Sequence, residues 1–202
     1  VQAYIDDLLV MSCATFADHL QHLETVLTRL NQAGLKVNAK KSHFCMPEVE
    51  YLGYWITRKG IQPLQKKVHA IQNIAPPKKL KELRSFLGMI NYYRDMWIHR
   101  SDILMPLTRL SSSKVLFKWT DVEQTAFDTI KKVISKEVLL AYPDFNKPFH
   151  IHTDASEHQL SAVISQNDRP IAFYSRKLQP AQTRYTTTER ELLSIIETLK
   201  EF

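Results

Sequence analysis

The chain has 202 residues, of which 44% are hydrophobic and 24% charged. That balance is typical of a globular protein and excludes a disordered chain. The sequence contains no apolar run of about 18 residues, so it predicts no membrane span. Two cysteines, Cys13 and Cys45, are too few for a disulfide framework and lack CxxC spacing, which favours a reducing compartment. Because the first residue is Val1 rather than Met, we expect a piece of a longer protein.

The net charge of +6 is unevenly distributed. Residues 1–110 hold 15 Lys and Arg against 9 Asp and Glu, whereas residues 111–202 hold 12 of each. The excess is densest from Lys36 to Arg100, with 13 basic and 4 acidic residues. Such a segment attracts a polyanion such as nucleic acid or an anionic membrane face, and a solvated basic surface without a partner fits the same charge.

The first half predicts a strand–turn–strand, a helix, a hairpin and three further helices. In chain order these cover residues 3–11, 16–33, 50–63, 64–75, 80–90 and 102–110. Gly34 supplies a stop for the first helix, and Pro76–Pro77 ends the second. The hairpin pairs aromatic and β-branched residues around a turn at Arg58–Gly60.

The second half predicts a helix, three strands and a final helix. Three small polar residues, Ser111–Ser113, mark the expected domain boundary. Thr120 with Glu123 predicts a capping box for the first of these helices, and Thr188 with Glu191 predicts one for the last. The strands are expected at residues 149–154, 159–165 and 171–176.

Two adjacent carboxylates, Asp6 and Asp7, fall at a tight turn between apolar runs. Because like charges repel, such a turn either faces water or holds a cation, and Asp is in any case common in hairpin turns. The residues alone therefore leave a plain surface turn and a metal site both open.

The surrounding residues resemble one family along the whole chain. Tyr4–Asp7 resembles the YxDD hairpin of reverse transcriptases, and Tyr51–Tyr54 is similar to their primer-grip hairpin. Residues 84–94 and Pro106–Leu107 resemble the thumb of gypsy-type long-terminal-repeat retrotransposon polymerases. Residues 143–166 resemble the start of the RNase H domain that follows in their Pol polyproteins, so the motifs keep the family's order.

This resemblance implies an α/β (α+β) fold with partial palm hairpins, a helical thumb and an incomplete RNase H-like mixed sheet with helices. The expected domains are the C-terminal part of the palm at 1–56, the thumb at 57–110 and the N-terminal part of the RNase H-like domain at 111–202. It implies a fragment of an enzyme that copies RNA into DNA and cleaves RNA in RNA–DNA hybrids, the chain alone being inactive. The alternative is a non-catalytic nucleic-acid-binding relic of a decayed retroelement.

By the same resemblance, four carboxylates are expected to be catalytic and to bind metal: Asp6, Asp7, Asp154 and Glu191. Two-metal catalysis uses Mg²⁺ (or Mn²⁺), with two ions per active site in the complete enzyme, and these hard ions prefer carboxylate oxygens. Asp6 is expected to be shared by both ions of the polymerase site, with Asp7 the weaker ligand. The resemblance places further carboxylates of both sites outside the chain.

The second RNase H carboxylate could be Glu189 or Glu191, since both flank the apolar stripe of the last helix. The family's Glu is followed by two large apolar residues, as in Glu191–Leu193, so Glu191 is assigned and Glu189 is expected to support the first helical turn. The sequence departs from the family at Gln159 and Ser161, where glycines are usual. Their side chains would either crowd the hybrid or merely alter a tolerant strand.

A nucleic-acid interface is expected at the grip and at the basic cluster of the thumb. Its residues are Tyr51, Leu52, Gly53, Tyr54, Lys66, Lys67, Lys78, Lys79, Lys81 and Arg84. Gly53 is predicted within a strand, where Gly often marks the close approach of another backbone, here a primer strand; the alternative is a hairpin that packs its own aromatics. Lysine contacts to phosphate position a duplex without reading its sequence, although a solvated surface also fits. Tyr92, Tyr93 and Trp97 predict thumb core rather than base-stacking platforms.

The partners implied for the complete enzyme are the RNA template, DNA primer, RNA–DNA hybrid and dNTPs, together with the remaining Pol polyprotein segments and no membrane. The family also implies a cytoplasmic virus-like particle or the nucleus. His150 and His152 alternate on one predicted strand, but no further ligands stand at zinc spacing, so we expect ordinary strand histidines.

Overall fold

The computed structural model describes residues 1–12, 14–136 and 138–202, so Cys13 lies outside the described residues. They form two compact units, residues 1–51 and residues 52–202. The predicted domain limits after residues 56 and 110 remain predictions. Among the described residues, no helix is both long enough and apolar enough to cross a membrane.

The first unit holds a small hairpin, one long helix and a third short strand. Its elements are β1 Gln2–Tyr4, β2 Asp7–Leu9, α1 Phe16–Gln32, a 3₁₀ turn Ala39–Lys41 and β3 Val49–Tyr51. Helix α1 begins with a capping box between Thr15 and Asp18 and ends before Gly34, which adopts a left-handed φ of +71°. The predicted helix and its stop signal are confirmed.

Within the described residues, the second unit combines five α-helices with five strands, all of which pair in antiparallel fashion. Its elements are β4 Tyr54–Thr57, β5 Gly60–Pro63, α2 Gln65–Gln72, α3 Leu80–Tyr92, α4 Arg100–Leu110, α5 Asp121–Ser135, β6 His150–Ala155, β7 Gln159–Gln166, β8 Arg169–Lys177 and α6 Thr187–Glu201, with 3₁₀ turns at Arg94–Met96 and Gln182–Arg184. Strands β4 and β5 form the predicted hairpin, and β6, β7 and β8 form an antiparallel sheet in that order. The predicted mixture of helices and sheets is confirmed.

The main hydrophobic core lies among helices α2 to α5. Phe86 of α3 and Phe127 of α5 are almost fully buried, with ring centroids 4.7 Å apart, and Ile90, Leu107 and Ile130 surround them. Burial of each such side chain stabilises a fold by about 1.5–3 kcal/mol. Helix α5 therefore shares a core with the helices that precede the predicted boundary at residues 111–113.

Helix α6 packs against β6 and β7 through small polar residues rather than through its apolar stripe. Ser194 and Thr198 are fully buried, whereas Leu192 and Leu199 are 57% and 60% exposed. The hydroxyl of Thr198 donates to the carbonyl of Ser194 within the helix, so burying it leaves no unsatisfied donor. The apolar stripe of α6 is thus largely exposed.

One predicted capping box is confirmed and the other is wrong. Thr120 and Glu123 cap α5 as predicted. Helix α6 begins at Thr187, so its cap is Thr186, paired with Glu189 rather than Thr188 with Glu191. The run of three threonines offers the same spacing twice, and local pattern cannot choose between them.

Gly60, at the start of β5, is expected to tolerate no side chain. Its φ is +150°, and a Cβ there would collide with the carbonyl of Leu140, which accepts a 2.8 Å hydrogen bond from the N–H of Ile61. We predict that Gly60→Ala lowers the free energy of unfolding by about 1–3 kcal/mol in urea titrations. Gly88→Ala in α3, where nothing lies within 4 Å, should stabilise by up to about 1 kcal/mol. Equal stability of the two variants would contradict this prediction.

Candidate active sites and nucleic-acid interface

The first carboxylate pair is displayed by the tight turn between β1 and β2. Asp6 lies in the turn, Asp7 begins β2 opposite Tyr4, and both are exposed. Ile5, the first turn residue, has a φ of +52° and is 88% exposed. A β-branched residue in this region costs of order 1–3 kcal/mol, and such strain concentrates at functional sites. The hairpin therefore presents two carboxylates to solvent on a constrained backbone.

The second candidate site is built on β6. Asp154 is exposed near the end of this strand and pairs with Ser161 of β7. Its carbonyl accepts 3.4 Å hydrogen bonds from the hydroxyls of Ser161 and Ser194, and Ser194 also donates to the carbonyl of Ser161 at 3.2 Å. These bonds dock α6 onto the strand pair at the position of Asp154.

Glu191 lies exposed on α6, three residues before Ser194 and hence on the same helix face. Glu189 instead accepts hydrogen bonds from the backbone N–H and the hydroxyl of Thr186, at 2.8 and 2.9 Å, and these bonds lower its pKa. The carboxylate of Glu189 is thus used in the helix cap. This geometry favours Glu191 as the partner of Asp154, although the assignment of both site residues remains a prediction.

The two residues that replace the family's glycines are both buried in β7. Ser161 fits beneath α6 with the hydrogen bonds given above, and the side-chain amide of Gln159 donates to the carboxylate of Asp102 on α4. Both side chains point into the protein, and their effect on a bound hybrid remains a prediction. Burial raises the pKa of Asp102, and the nearby Asp154 raises it further.

Asp102 is a charged residue near the second site that the sequence did not identify. It lies 52 positions before Asp154, on a helix whose pattern predicts only packing. No local pattern around Asp102 points to this contact, because its partner Gln159 lies 57 positions away. Among the described residues, no three His, Cys, Asp or Glu side chains are grouped closely enough to hold a metal ion.

The predicted grip residues form a turn rather than a continuous strand. Tyr51 ends β3 and Tyr54 begins β4, while Leu52 and Gly53 between them have φ values of +46° and +74°. The prediction that Gly53 lies within a strand is therefore wrong. Two consecutive positive φ values are typical of a two-residue hairpin turn. Such turns usually have Asn, Asp or Gly at the first position, so the Leu at this position did not predict one.

Tyr92, the last residue of α3, and Tyr93, its C-cap, hold this turn. The hydroxyl of Tyr92 donates to the carbonyl of Leu52, and that of Tyr93 donates to the carbonyl of Gly53 at 2.8 Å. The ring of Tyr54 stacks on Tyr92 with centroids 5.7 Å apart, and burial raises the pKa of Tyr54 to about 12. Tyr93 and Trp97 are buried as the thumb-core prediction requires, whereas Tyr92 is 52% exposed.

The predicted basic residues lie on the surface of the second unit. Lys66 and Lys67 occupy the first turn of α2, and Lys78, Lys79, Lys81 and Arg84 surround the start of α3, all of them exposed. Arg84 also donates from Nε and Nη2 to the carbonyl of Ser111, at 3.2 and 3.0 Å, so it caps the end of α4. Exposed basic side chains are what a phosphate-binding surface requires, and the role of these residues in a nucleic-acid interface remains a prediction.

Comparisons with known proteins agree with this arrangement. Residues 1–56 match the reverse transcriptase (RNA-dependent DNA polymerase) family, and residues 119–202 match the RNase H-like domain found in reverse transcriptase. The chain is 41% identical, over 97% of its length, to the retrovirus-related Pol polyprotein from transposon opus of Drosophila melanogaster. It is 36% identical, over 96% of its length, to the polyprotein from transposon gypsy of the same organism. The chain spans 21% and 20% of these two relatives.

Solved structures show the same likeness. A foamy viral protease-reverse transcriptase in complex with RNA/DNA hybrid matches 94% of this chain at 30% identity with a TM-score of 0.83, over 26% of that chain. The same kind of enzyme in complex with double-stranded DNA matches with a TM-score of 0.80 at 30% identity, over 41% of that chain.

A reverse transcriptase followed by an RNase H-like domain is the class that this fold and these similarities define. The chain belongs to the Pol polyproteins of gypsy-type retrotransposons, as their reverse transcriptase and RNase H segment, and the resemblance seen in the sequence is confirmed. Similarity of this extent does not favour the alternative of a binding relic. Both families generally use divalent metal ions, which the carboxylate oxygens of the two sites suit.

Proposed function

We propose that this chain supplies a Pol polyprotein with the metal-binding hairpin of the polymerase, the grip and thumb, and the first part of the RNase H site. The whole protein copies RNA into DNA and cleaves the RNA of the resulting hybrid. The observation that carries the proposal is the presence of two separate pairs of exposed carboxylates, one on the β1–β2 hairpin and one on β6 and α6, with exposed basic helices between them in sequence.

Asp6 and Asp7 would hold divalent ions at the polymerase site, and Asp154 and Glu191 would do so at the RNase H site. Mg²⁺ or Mn²⁺, two ions per site, supplies Lewis-acid stabilisation of the attacking and leaving oxygens in phosphoryl transfer. Each pair provides only part of such a ligand set, so the remaining carboxylates come from other Pol segments. The exposed apolar stripe of α6, which includes Leu192 and Leu199, supports packing against such a segment.

The nucleic-acid partners of the proposal are an RNA template, a DNA primer and their hybrid, with dNTPs as the polymerase substrates. The exposed lysines at the start of α2 and α3 contact phosphates, while the turn at Leu52 and Gly53 lies beside the primer strand. Because these contacts are electrostatic, binding is independent of sequence and weakens steeply with salt.

A salt titration should count these phosphate contacts. We expect replacement of Lys78, Lys79 and Lys81 by Gln to lower the slope of log K against log[salt] for an RNA/DNA hybrid by about 0.9 per lost contact. The matched control replaces Lys114, Lys118 and Lys132, which lie elsewhere in the second unit. Equal slopes for the two triple variants, measured by fluorescence anisotropy, would remove the lysines at α3 from the interface.

The function is tested by placing residues 1–202 in the opus polyprotein in place of its aligned segment, a protein called here the opus chimera. We expect the opus chimera to extend a DNA primer on an RNA template and to cleave the RNA of a hybrid, both only with a divalent ion. A folded chimera that binds hybrid but performs neither reaction would contradict the proposal.

A further inference from the structure

The grip turn, defined as Leu52 and Gly53, is held in a conformation that its sequence does not favour. Leu52 has a φ of +46°, in the left-handed region where a non-glycine residue costs roughly 1–2 kcal/mol. Gly53, at +74°, adopts its conformation without that cost. Both residues are partly buried, and a strained Leu persists only if surrounding contacts hold it there.

Those contacts come from the last residue and the C-cap of helix α3 and from the chain after β5. The hydroxyl of Tyr92 donates to the carbonyl of Leu52 and the hydroxyl of Tyr93 to the carbonyl of Gly53, which also accepts a 3.2 Å bond from the N–H of Leu64. A Cβ on Gly53 would lie 3.3 Å from the Tyr92 ring, so the helix and the turn are in direct contact. Both carbonyl oxygens of the turn are therefore directed toward the protein.

This arrangement fixes the direction of an N–H group as well. The described residues contain no cis peptide bond, and a trans peptide directs its C=O and N–H to opposite sides. The N–H of Gly53 shares a peptide with the carbonyl of Leu52 and so points away from Tyr92. No described residue accepts a hydrogen bond from it. The outward side of the turn thus carries a donor, and its two acceptors lie on the inward side.

We propose that Tyr92 and Tyr93 are positioning residues that keep the carbonyls of the grip turn inward, so that its outward amide side receives a phosphate oxygen of a nucleic-acid strand. If the turn relaxed, a carbonyl oxygen could face the phosphate, and the two acceptors would repel each other. The inference rests on the proposed function, because it assumes that nucleic acid passes the grip turn. It adds a role for two tyrosine hydroxyls that touch no substrate themselves.

The test compares Tyr92→Phe and Tyr93→Phe with wild type and with Tyr142→Phe in the 202-residue chain. Tyr142 is a matched control, since its hydroxyl donates to the carbonyl of Thr57 at the other end of β4. Each variant keeps its ring and loses one hydroxyl. Affinity for a labelled RNA/DNA hybrid with a recessed DNA end is measured over a range of salt concentrations, with thermal unfolding followed in parallel.

We expect Tyr92→Phe and Tyr93→Phe each to weaken binding about 3- to 10-fold at every salt concentration. The slope against log[salt] should not change, because the lost contact is an uncharged N–H and releases no counterion. A loss of folded thumb would instead remove lysine contacts and lower the slope. Tyr142→Phe should leave both the affinity and the slope as in wild type.

Rescue separates positioning from general stability. Adding Leu52→Gly to Tyr92→Phe removes the backbone strain, so the turn can keep its conformation without the hydroxyl and affinity should return. Wild-type affinity in both Tyr→Phe variants, or affinity loss equal to that of Tyr142→Phe, would overturn the inference while leaving the proposed function intact. Failure of the wild-type chain to bind hybrid at low salt would instead count against the proposed function.

Discussion

Replacement of Asp6 by Asn in the opus chimera should abolish DNA synthesis and leave cleavage of hybrid RNA intact. The carboxylate of Asp6 is exposed at the tip of the β1–β2 hairpin, where it would hold metal ions in the polymerase site. Metal coordination contributes several kcal/mol of transition-state stabilisation, so we expect primer extension to fall by about 100-fold or more. Primer extension and hybrid cleavage are measured on the same preparation.

The matched variant is Asp154→Asn, which should produce the opposite pattern. Asp154 lies on β6 in the second unit, and the two pairs belong to separate units of the chain. A separate effect of each substitution would show two independent centres. If either variant lost both activities, with hybrid binding retained, the assignment of one carboxylate pair to each reaction would be wrong.

Glu191→Gln should abolish hybrid cleavage, whereas Glu189→Gln should preserve it. Glu191 lies on the face of α6 that Ser194 docks against β6, and its exposed carboxylate makes no cap. We expect a loss of about 100-fold or more for Glu191→Gln in the opus chimera, measured as the initial rate of RNA cleavage. Because Gln also serves in a capping box, Glu189→Gln keeps α6 folded and is a control for the same chemical change two residues away.

The pH dependence of the helix cap provides a second distinction. Backbone and side-chain hydrogen bonds from Thr186 lower the pKa of Glu189. A lowered carboxylate pKa means that the cap contributes its stability at neutral pH and loses it as the pH falls through that pKa. Glu189→Gln should remove this part of the acid dependence of unfolding, followed by circular dichroism, whereas Glu191→Gln should leave it. A cleavage defect in Glu189→Gln alone would reverse the assignment.

Local signals in the sequence predicted the elements well where a side chain or a backbone requirement acts within a few residues. Gly34 ends α1 because a left-handed residue is needed there, and Thr120 caps α5 through a glutamate one turn away. The same kind of signal led to a wrong prediction for the cap of α6, because Thr186 and Thr188 both precede a glutamate by three positions and the spacing fits either pair. Local pattern is sufficient only where one candidate fits.

The apolar stripe of α6 shows a different limit. Leu192, Ile195 and Leu199 recur at helical spacing and predict a helix, yet they are exposed, and the fully buried residues of α6 are Ser194 and Thr198. Small hydroxyl side chains allow the helix to approach β6 and β7 closely and to satisfy their own donors. Periodicity identifies the helix but not the surface that covers each of its faces.

The class of this protein can be read from its sequence, because its two carboxylate motifs, its basic segment and their order are visible without coordinates. The way in which the grip turn is held, by contrast, follows from the packing of distant elements. The hydrogen bonds from Tyr92 and Tyr93 join residues about 40 positions apart, and the bond from Gln159 to Asp102 spans 57. Contacts over such separations depend on how the helices pack, which no local pattern records, and they give Leu52 a conformation that its own side chain disfavours.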